Sequence, residues 1–575
     1  MEKIWEVKGE NINSSEVEYL CDRFKIEKTI AKLLWQRGLR KEDEVLQFFN
    51  PSLKYLHDPF LLKDMEEAVE LLVKTIAKGE KIMLFGDYDV DGTTAVATMF
   101  LGMKELHQNL IYYIPDRYVE GYGLSIQGID FAKSQNCTLI ITLDCGVKAV
   151  DKIAYARNLG LNVIVCDHHE PGEELPDAII LDPKRQDCYY PFKDLSGCGV
   201  GFKLLQALYI KKGLPDDLLF DLLDFLAISI GADIVSVTGE NRILAYHGLK
   251  KLNDKPRLFV LKIAEHSLRK LPFTLTDVVF VIAPRINAAG RIRSGIHAVN
   301  MMLSTDSDEI NALTEAINND NKIRREFDEQ ITKEALAQID SDVDFKDKKS
   351  TIVYNPIWHK GVVGIVASRL IETHYRPTIV LTKSNDLITG SARSINHFNL
   401  YEALESCKDL LEQFGGHEHA AGLTLKEENL IEFCERFDRF IQENLSDSNM
   451  IPEQTIDMEI DLADIYCHQL TTKIPRLKKA IDAFEPFGPG NMKPVFRTQN
   501  LFAIDSRVLK EKHLKLKVRQ PQSNITLDAI GFGFSSKELE VASGLPFEMA
   551  YTLEINEFNG QSNIQLNIKD LRGMC

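Results

Sequence analysis

The sequence predicts an α/β protein of several domains that ends in a small β-barrel. Its 575 residues are too many for one hydrophobic core. Between residues 61 and 305, short apolar runs alternate with helical segments, which is typical of a mostly parallel sheet with helices on both faces. After residue 449, strand-like runs outnumber helical ones, which indicates a barrel.

Changes in composition divide the chain into five predicted segments. A charged stretch with Ile310, Leu313 and Ile317 at helical spacing predicts a long helix, which we interpret as a connector rather than a helix packed within one domain. Polar runs at 340–350 and 444–449 bound the domain that follows. The segments are a helical lead-in (1–60), a parallel-sheet domain (61–305), the connecting helix (306–345), a second α/β domain (346–448) and the barrel (449–575).

The predicted strands are short runs rich in apolar and β-branched residues. In the parallel sheet they are Ile82–Phe85, Leu110–Ile114, Leu139–Leu143, Val163–Cys166 and Ala178–Leu181. The second domain begins with Thr351–Tyr354, and the barrel strands are Leu514–Val518, Ile525–Phe532, Ala550–Ile555 and Ile564–Ile568. Parallel sheets of this kind bind ligands beyond the carboxyl ends of their strands, so a site is expected there.

Composition limits the class of protein. A net charge of -17 argues against a protein that only coats DNA, while it is compatible with an enzyme whose carboxylates hold metal ions. The ten cysteines form no Cys-x-x-Cys pair, which favours reduced thiols in a cytoplasmic protein over a disulfide or zinc framework. No apolar stretch is long enough to cross a membrane, and the N-terminus predicts no signal peptide.

Three aspartates at alternate positions follow the first predicted strand of the sheet. Asp87, Asp89 and Asp91 precede Gly92, where we expect a helix to begin. A calcium-binding EF-hand loop begins in the same way, but the twelfth position here is Thr98 instead of glutamate, and a strand rather than a helix leads in. Three like charges so close together are unfavourable unless cations neutralise them, so we favour a metal site over a solvated turn.

Further potential ligands stand at or near other element ends. Asp144 follows one predicted strand, Asp167, His168 and His169 follow another, and Asp233 lies beyond an apolar helix. A single strand-end aspartate is more often a helix cap, but the strand ends of one parallel sheet converge on one edge, which favours a metal centre. Carboxylates with one imidazole suit Mn²⁺ or Mg²⁺, and two such ions sharing a carboxylate can assist hydrolysis of a phosphate ester.

The Asp-x-Asp-x-Asp motif, the Asp-His-His motif and the two single aspartates resemble the DHH phosphoesterase superfamily. The resemblance implies ligands for two divalent cations, Mn²⁺ or Mg²⁺, at Asp89, Asp91, Asp144, His168 and Asp233. Asp144 would bridge the two ions. Three catalytic roles are also implied: Asp87 as a further ligand or a group behind the ligands, His169 as a contact to the scissile phosphate or a leaving oxygen, and Asp167 as the group that orients the histidines.

Downstream motifs are similar to those of one branch of the superfamily, the RecJ family. Segment Ala283–Arg291 is similar to a RecJ signature, in which Arg285 and Asn287 would hold a DNA phosphate. Taken alone, an ordinary surface arginine in a glycine-containing loop is an equally good interpretation. Arg117, in segment Ile114–Gly123, also matches the family, and the resemblance implies that it faces the DNA path. The tyrosines of that segment either stack on bases or pack the loop.

Three motifs of the second domain resemble the DHHA1 substrate-binding domain: Trp358–Arg369, Gly390–Ser394 and Gly415–Gly422. Paired glycines let a backbone approach phosphate closely, and serine, arginine and histidine supply donors. The DNA-binding residues predicted here are Ser391, Arg393, Gly415, Gly416 and His417. Together they would grip a terminal phosphate, which would explain action from a strand end.

The last segment resembles the oligonucleotide-binding (OB-fold) barrel of RecJ proteins through Pro486–Phe496 and His513–Lys517. The resemblance covers residues from about 60 to 570. It implies a 5′–3′ exonuclease that hydrolyses single-stranded DNA to mononucleotides in DNA repair and recombination. It also implies a monomer that works with a single-strand-binding protein and a helicase, and not on a membrane.

Two alternatives are left open by the sequence. One is a DHH phosphodiesterase of short oligonucleotides or cyclic dinucleotides, although such proteins lack the closing barrel. The other is a non-catalytic DNA-binding scaffold, which would have lost metal ligands. All five matched ligand positions are retained here, so the sequence favours the exonuclease.

Overall fold

The computed structural model describes residues 2–9, 12–466, 474–521, 523–558 and 560–573. Contacts divide the chain into two compact units. The parallel-sheet unit consists of Asp43–Arg324 and Phe484–Met492, and the terminal unit consists of Met1–Glu42, Arg325–Ala483 and Lys493–Cys575. Among the described residues, no helix has the length and apolar character needed to cross a membrane.

The N-terminal segment contains a strand in addition to the predicted helices. β1 (Ile4–Val7) precedes α1 (Ser14–Phe24), α2 (Lys28–Gln36) and α3 (Glu42–Phe49). β1 pairs in parallel with Glu453–Ile456, and Trp5 Nε1 donates a hydrogen bond to Asp570 Oδ2 at 2.7 Å. This strand escaped prediction because it is four residues long and its partner lies about 450 residues away, where no local pattern reveals it.

All five predicted strands of the parallel sheet are present. They are β2 (Lys81–Gly86), β3 (Leu110–Tyr113), β4 (Cys137–Leu143), β5 (Asn162–Cys166) and β6 (Ile179–Leu181). Their order is β3-β2-β4-β5-β6, and each neighbouring pair is parallel. Leu84 and Ile141 pack into one apolar cluster, while Phe85 and Ile140 pack into another. Burial on both faces explains why these strands are continuous apolar runs.

Helices cover both faces of this sheet. They are α4 (Met65–Ala77), α5 (Val90–Met103), α6 (Ile126–Ser134), α7 (Val150–Asn158), α8 (Gly197–Lys212), α9 (Asp217–Phe220), α10 (Leu223–Ala232), α11 (Gly239–Asp254), α12 (Leu258–Ser267), α13 (Leu275–Asp277), α14 (Ala283–Ile292) and α15 (Ile296–Leu303). Met99 of α5 and Leu205 of α8 join one cluster, and Ile129 of α6 and Ile153 of α7 join the other. α10 is buried along most of its length, as its apolar sequence predicts.

A short segment from far along the chain completes the parallel-sheet unit. Phe484–Met492 packs here although it follows Arg324 by about 160 residues. Arg242, which is 4% exposed, donates hydrogen bonds of 2.8–3.3 Å to the carbonyl oxygens of Phe48, Phe484 and Glu485. Because a buried guanidinium is costly unless its N–H groups are paired, this segment is a structural part of the unit.

The predicted connector is one continuous helix, α16 (Ser307–Ser341). Its residues belong to the parallel-sheet unit up to Arg324 and to the terminal unit from Arg325. The second sheet follows, with β7 (Thr351–Tyr354), β8 (Thr378–Ser384), β9 (Leu387–Arg393), β10 (Leu411–His417) and β11 (Ala420–Leu425), and with helices α17 (Val363–Thr373), α18 (Leu400–Glu405) and α19 (Leu430–Asn444). The strand order is β10-β11-β9-β8-β7, in which β7–β8 is parallel and the other pairs are antiparallel.

The C-terminal part of the chain forms the predicted barrel. Its elements are β12 (Glu453–Ile456), β13 (Met458–Glu459), α20 (Leu462–Ile465), α21 (Arg476–Asp482), β14 (Phe496–Leu509), β15 (His513–Arg519), β16 (Thr526–Gly531), α22 (Glu538–Ala542), β17 (Phe547–Phe558) and β18 (Gln561–Gly573). The strands pair in the order β14-β15-β16-β18-β17, and β17 pairs again with β14, so the sheet closes. A closed five-stranded barrel is the OB-type architecture expected from the sequence.

Candidate metal centre

The end of β2 and the start of α5 present the three alternating aspartates. The helix begins at Val90, before the glycine at which we expected it to begin, and Asp89 is its N-cap, whose Oδ1 accepts a hydrogen bond from Gly92 N at 3.0 Å. Gly92 instead permits close packing, since a Cβ there would lie 2.4 Å from Asp87 O. The glycine therefore fixes the approach of the helix to the first aspartate, and Asp91 falls in the first helical turn.

The other candidate ligands follow β4, β5 and α10. Asp144 comes directly after β4 with a φ of +61°, in the left-handed region, and its N–H donates to Cys166 O at 2.9 Å. A Cβ at Gly197 would lie 2.6 Å from Asp144 Cβ, so this glycine lets the start of α8 approach the aspartate. His168 lies two residues after the end of β5, and Asp233 is the C-terminal cap of α10.

Three of the five predicted ligands converge on one atom of a fourth, His168 Nε2. This nitrogen lies 3.2 Å from Asp144 Oδ1, 3.5 Å from Asp233 Oδ2 and 3.7 Å from Asp91 Oδ2. The ligand atoms of one octahedral ion with bonds near 2.1 Å lie about 3 Å apart. These spacings are therefore close to those of a coordination sphere.

Two overlapping groups of potential ligands result. Within each group, one ligand atom of every member lies within 4.8 Å of the others; the groups are Asp144, His168 and His169, and Asp91, His168 and Asp233. We expected His169 to contact phosphate, but one of its ring nitrogens lies as near to Asp144 and His168 as a metal ligand would. Asp89, which we expected to be a ligand, lies outside both groups.

Buried atoms at this edge fit a divalent cation. In the part of the chain that the structure describes, Asp87 Oδ2, Asp144 Oδ1 and His168 Nε2 are buried and make no hydrogen bond. The His168 ring also hydrogen-bonds the backbone of Leu195, which leaves Nε2 as its available donor atom. Buried polar atoms without partners are unfavourable, and carboxylate oxygen with imidazole nitrogen is a donor set that Mn²⁺ and Mg²⁺ accept.

Burial and mutual repulsion shift the pKa values of this cluster. Burial, followed by the charges of neighbouring aspartates, raises the pKa of Asp144, Asp87 and Asp233 well above the ordinary value. The same two causes raise the pKa of Asp91 to about 6. Burial is the largest cause that lowers the pKa of His168 to about 3, so its imidazole is neutral, the form that binds metal ions. A cation among these groups would relieve the repulsion.

Sequence reasoning missed the donors that hold Asp91. Its Oδ2 accepts a hydrogen bond from Gly197 N at 2.6 Å, and its Oδ1 accepts from Cys198 N at 2.9 Å and from Ser229 Oγ at 2.6 Å. Gly197 and Cys198 form the first turn of α8, where the helix dipole favours a negative charge. The available signal was the glycine-rich start of this helix after Ser196, because such starts bind anions. Ser229 lies inside the apolar α10 and offers no such signal.

His169 is held from both sides. Its Nδ1 lies 2.7 Å from Asp167 Oδ1, and its Nε2 lies 3.0 Å from the hydroxyl oxygen of Tyr122. Burial opposes the charged imidazolium, but the hydrogen bond and the charge of Asp167 outweigh burial and raise the pKa of His169 to about 9. Burial would raise the pKa of Asp167, but the hydrogen bond and charge of His169 lower it to about 2. This ion pair is compatible with the orienting role predicted for Asp167.

Arg117 lies in a loop of the same unit. Its guanidinium stands 5.0 Å from the centre of the Tyr88 ring, inside the aspartate motif. Glu120 braces the loop, because its carboxylate accepts hydrogen bonds from Asp116 N at 2.8 Å and from Ser125 Oγ at 2.5 Å. The structure thus brings Arg117 to the aspartate motif, and its place on the DNA path stays a prediction.

Arg285 and Asn287 lie on α14, so the interpretation of their segment as a loop was wrong. Arg285 Nε donates a hydrogen bond to Asn318 Oδ1 at 3.2 Å, and Asn287 is half-buried. A Cβ at Gly290 would lie 2.6 Å from Tyr88 O. The glycine of this signature therefore lets α14 pack directly against the aspartate motif, which is a structural role that the sequence did not reveal.

The predicted DNA-binding residues of the terminal unit lie on two strands: Ser391 and Arg393 on β9, and Gly415, Gly416 and His417 at the end of β10. Arg393 Nη1 donates a hydrogen bond to Ser391 Oγ at 2.8 Å. Gly416 has a φ of +151°, and a Cβ there would lie 2.2 Å from Ala420 O, so the hairpin requires glycine at this position. Gly415 differs, because a Cβ there would meet no described atom within 4 Å. Its missing side chain leaves space beside the backbone.

Three family models match the chain. They are the DHH family N-terminal domain at residues 81–230, the DHHA1 domain at 347–443 and the RecJ OB domain at 456–570. The single-stranded-DNA-specific exonuclease RecJ of Salmonella typhimurium (strain LT2) is 33% identical over 565 residues, which span 94% of this chain and 95% of that protein. The chain belongs to the RecJ family.

Other RecJ proteins agree with this assignment. The single-stranded-DNA-specific exonuclease RecJ of Bacillus subtilis (strain 168) is 36% identical over 572 residues, which span 98% of this chain and 70% of that protein. The crystal structure of RecJ from Thermus thermophilus in complex with Mn²⁺ matches with a TM-score of 0.84 and 26% identity, covering 99% of this chain and 80% of that one. The predicted RecJ architecture of DHH, DHHA1 and OB domains is confirmed.

Proposed function

We propose that this RecJ-family chain is a metal-dependent exonuclease that hydrolyses single-stranded DNA from its 5′ end to mononucleotides. The convergence of Asp144, Asp91 and Asp233 on His168 Nε2 is the observation that carries the proposal. Relatives at 33–36% identity are named single-stranded-DNA-specific exonucleases. A cluster of buried carboxylates with raised pKa values fits the hydrolysis of an anionic ester only with cations present.

We assign two divalent cations, Mn²⁺ or Mg²⁺, to ligands Asp89, Asp91, Asp144, His168 and Asp233. When bound, the cations supply the Lewis acidity that activates a water molecule and neutralises charge on the scissile phosphate. Asp144 would be shared by both ions, and Asp87 would complete the site with its buried Oδ2. His169 would face the scissile phosphate, and Asp167 would keep its ring oriented through the 2.7 Å hydrogen bond.

Each unit, taken by itself, offers donors for single-stranded DNA. We assign phosphate contacts to Arg117, Arg285 and Asn287, and contacts to the strand end to Ser391, Arg393, Gly415, Gly416 and His417. The paired Arg393 and Ser391 offer donors for a phosphate, and the space beside Gly415 lets an oxygen approach the backbone. A grip on a terminal phosphate would make the enzyme begin at a strand end.

The wider setting follows from the same proposal. We expect the enzyme to act as a monomer in the cytoplasm, in DNA repair and recombination. A helicase would supply single strands, and a single-strand-binding protein would present them. Co-purification of either protein with the tagged chain at physiological salt would be the first measurement of these partnerships.

The test of the function uses one oligonucleotide labelled separately at its 5′ and 3′ ends. We expect labelled mononucleotide to appear first from the 5′ label with Mn²⁺ or Mg²⁺, and neither label to be released with chelator. Asp144→Ala should abolish release. The matched control is Asp182→Asn, since Asp182 is also a buried aspartate that directly follows a strand of this sheet, but lies outside both ligand groups. It should retain activity within about threefold.

Other outcomes would redirect the proposal. Hydrolysis confined to dinucleotides or cyclic dinucleotides would indicate a short-substrate phosphodiesterase. Intact DNA binding without hydrolysis in either metal would indicate a scaffold. First release from the 3′ label would contradict the assigned polarity while leaving the metal chemistry in place.

A further inference from the structure

The side chain of Tyr122 lies next to that of His169. Its hydroxyl oxygen lies 3.0 Å from His169 Nε2 and 3.4 Å from Asp144 O. The two rings meet edge to face, with centroids 5.9 Å apart and an angle of 77° between their planes. The hydroxyl thus contacts both the histidine and the backbone of the aspartate proposed to bridge the cations.

The imidazole of His169 is consequently fixed at both nitrogens. Nδ1 is paired with Asp167, whose carboxylate also accepts hydrogen bonds from Val147 N at 2.9 Å and His168 N at 2.8 Å. Nε2 is paired with Tyr122. Because the side chain of His169 is 42% exposed, packing alone does not immobilise its ring. With the Asp167 hydrogen bond alone, the ring could still pivot about Nδ1. The hydrogen bond of the tyrosine hydroxyl to Nε2 prevents this rotation.

The position of Tyr122 is itself determined by the fold. The next residue, Gly123, donates its N–H to Asp87 Oδ1 at 3.1 Å, which ties the loop to the aspartate motif. On the other side, Glu120 accepts hydrogen bonds from Asp116 N and Ser125 Oγ. Gly121 and Gly123 have φ values of +84° and +76°, so the chain turns sharply on both sides of the tyrosine. The loop therefore presents the hydroxyl rather than merely containing an aromatic ring.

We propose that Tyr122 is a positioning residue for the hydrolytic reaction, which it serves by holding His169 Nε2 through its hydroxyl group until a phosphate oxygen of the substrate takes the place of the hydroxyl. This inference rests on the proposed function and deepens it. It separates two uses of one side chain: the ring, which could stack on a base, and the hydroxyl, which fixes the histidine. The contacts of the hydroxyl within the protein favour the second use, since both its neighbours belong to the proposed catalytic edge.

Removing the hydroxyl alone tests this assignment. Tyr122→Phe keeps the ring and should lower kcat by about 10- to 150-fold, the loss expected for one hydrogen bond to a charged group, with KM unchanged within about twofold. The matched control is Tyr155→Phe, which removes a hydroxyl that donates to Asp130 Oδ1 at 2.8 Å on the surface of the same unit. That control should retain its kcat within about twofold.

A double-mutant cycle shows whether the tyrosine acts through the histidine. In a His169→Gln background, adding Tyr122→Phe should cost less than about twofold, because the partner of the hydroxyl is already gone. Full additivity of the two losses would overturn the proposal. So would normal kcat in Tyr122→Phe combined with a raised KM in Tyr122→Ala, which would assign the residue to base stacking instead.

A spectroscopic readout does not depend on catalysis. In protein labelled with ¹⁵N-histidine, the Nε2 resonance of His169, identified from its loss in His169→Gln, should move in Tyr122→Phe and stay in place in Tyr155→Phe. An unmoved resonance would reject the contact, even in an active enzyme. If the resonance moves in Tyr122→Phe but the wild-type protein has no nuclease activity, the contact is supported and the proposed function is rejected. The failure of the contact and the failure of the function can therefore be told apart.

Discussion

Two regions of the molecule use opposite chemistry. One is the carboxyl edge of the first sheet, here called the cation edge, with Asp91, Asp144, His168 and Asp233. The other is the part of the second sheet with Ser391, Arg393 and Gly415–His417, here called the anion surface. The first gathers buried aspartates whose pKa values are raised by burial and by one another, as for Asp144 and Asp91. The second places the half-buried Ser391 and Arg393 near a glycine hairpin. Similar strands and helices thus support one edge to which we assign cations and another surface to which we assign an anion. The ligand is chosen by a few side chains and not by the architecture.

The largest expected effect comes from neutralising the cation edge. Asp144→Asn should lower metal-dependent cleavage by about 10³-fold or more, because the variant loses the ligand that we propose both cations share. The same variant should unfold at a higher temperature than wild type in chelator, because one repelling charge has been removed from the buried cluster. Cleavage assays and thermal scans with EDTA measure the two effects. A lower melting temperature in EDTA would mean that the edge is not under charge repulsion.

The anion surface should respond differently to the loss of one charge. Arg393→Ala should raise KM for a 5′-phosphorylated oligonucleotide by about 10- to 100-fold and leave the Mn²⁺-induced rise in melting temperature unchanged. The control is Arg439→Ala, an exposed arginine on α19 of the same unit. If Arg393→Ala also weakened Mn²⁺ binding, the two regions could not be treated as separate ligand sites.

Most of the fold was predictable because its signals are local. The run Val163–Cys166, for example, is apolar and mostly β-branched, which is typical of a buried strand. The aspartates that directly follow β2, β4 and β5 are recognisable because each comes after such an apolar run. The supporting contacts are not local: Ser229 is separated from Asp91 by 138 positions. Nothing in a serine within an apolar helix announces a carboxylate partner. The start of α5 was predicted too late in the chain. Aspartate is common both in loops and at helix N-caps, and the sequence does not show that Asp89 caps the helix.

Acidity should weaken the cation edge specifically. The pKa of Asp91 is raised to about 6, so below that pH a proton occupies the carboxylate and must be displaced by the ion. Mn²⁺ affinity measured by calorimetry should fall by about tenfold or more between pH 7 and pH 5, because Asp144 and Asp233, whose pKa values are also raised, take up protons as well. In metal-free protein the sign reverses: a raised folded-state pKa contributes stability at low pH that is lost as pH rises through about 6. Binding of an oligonucleotide without a terminal phosphate in EDTA should not follow this profile, because its phosphodiester groups do not titrate between pH 5 and pH 8.

The smallest effect should come from the support behind a ligand. Ser229→Ala removes one of the three hydrogen bonds to Asp91 and should weaken Mn²⁺ binding by about 3- to 10-fold, with the ligands themselves intact. Ser134→Ala is a control, since Ser134 Oγ donates to Phe131 O on the exposed side of α6. Equal Mn²⁺ affinity in both variants would show that the backbone donors of α8 suffice to hold Asp91.

The hydrogen bonds of Arg242 have a consequence for folding during translation. The carbonyl oxygens of Phe484 and Glu485 that it binds are made about 160 residues after the rest of the parallel-sheet unit has been translated. At about 5–20 residues per second, the ribosome needs roughly 8–30 s to supply them. During that interval the parallel-sheet unit lacks the segment Phe484–Met492. A nascent chain arrested before Phe484 should therefore be cut by protease near α3 and α11 faster than a chain released after Met492.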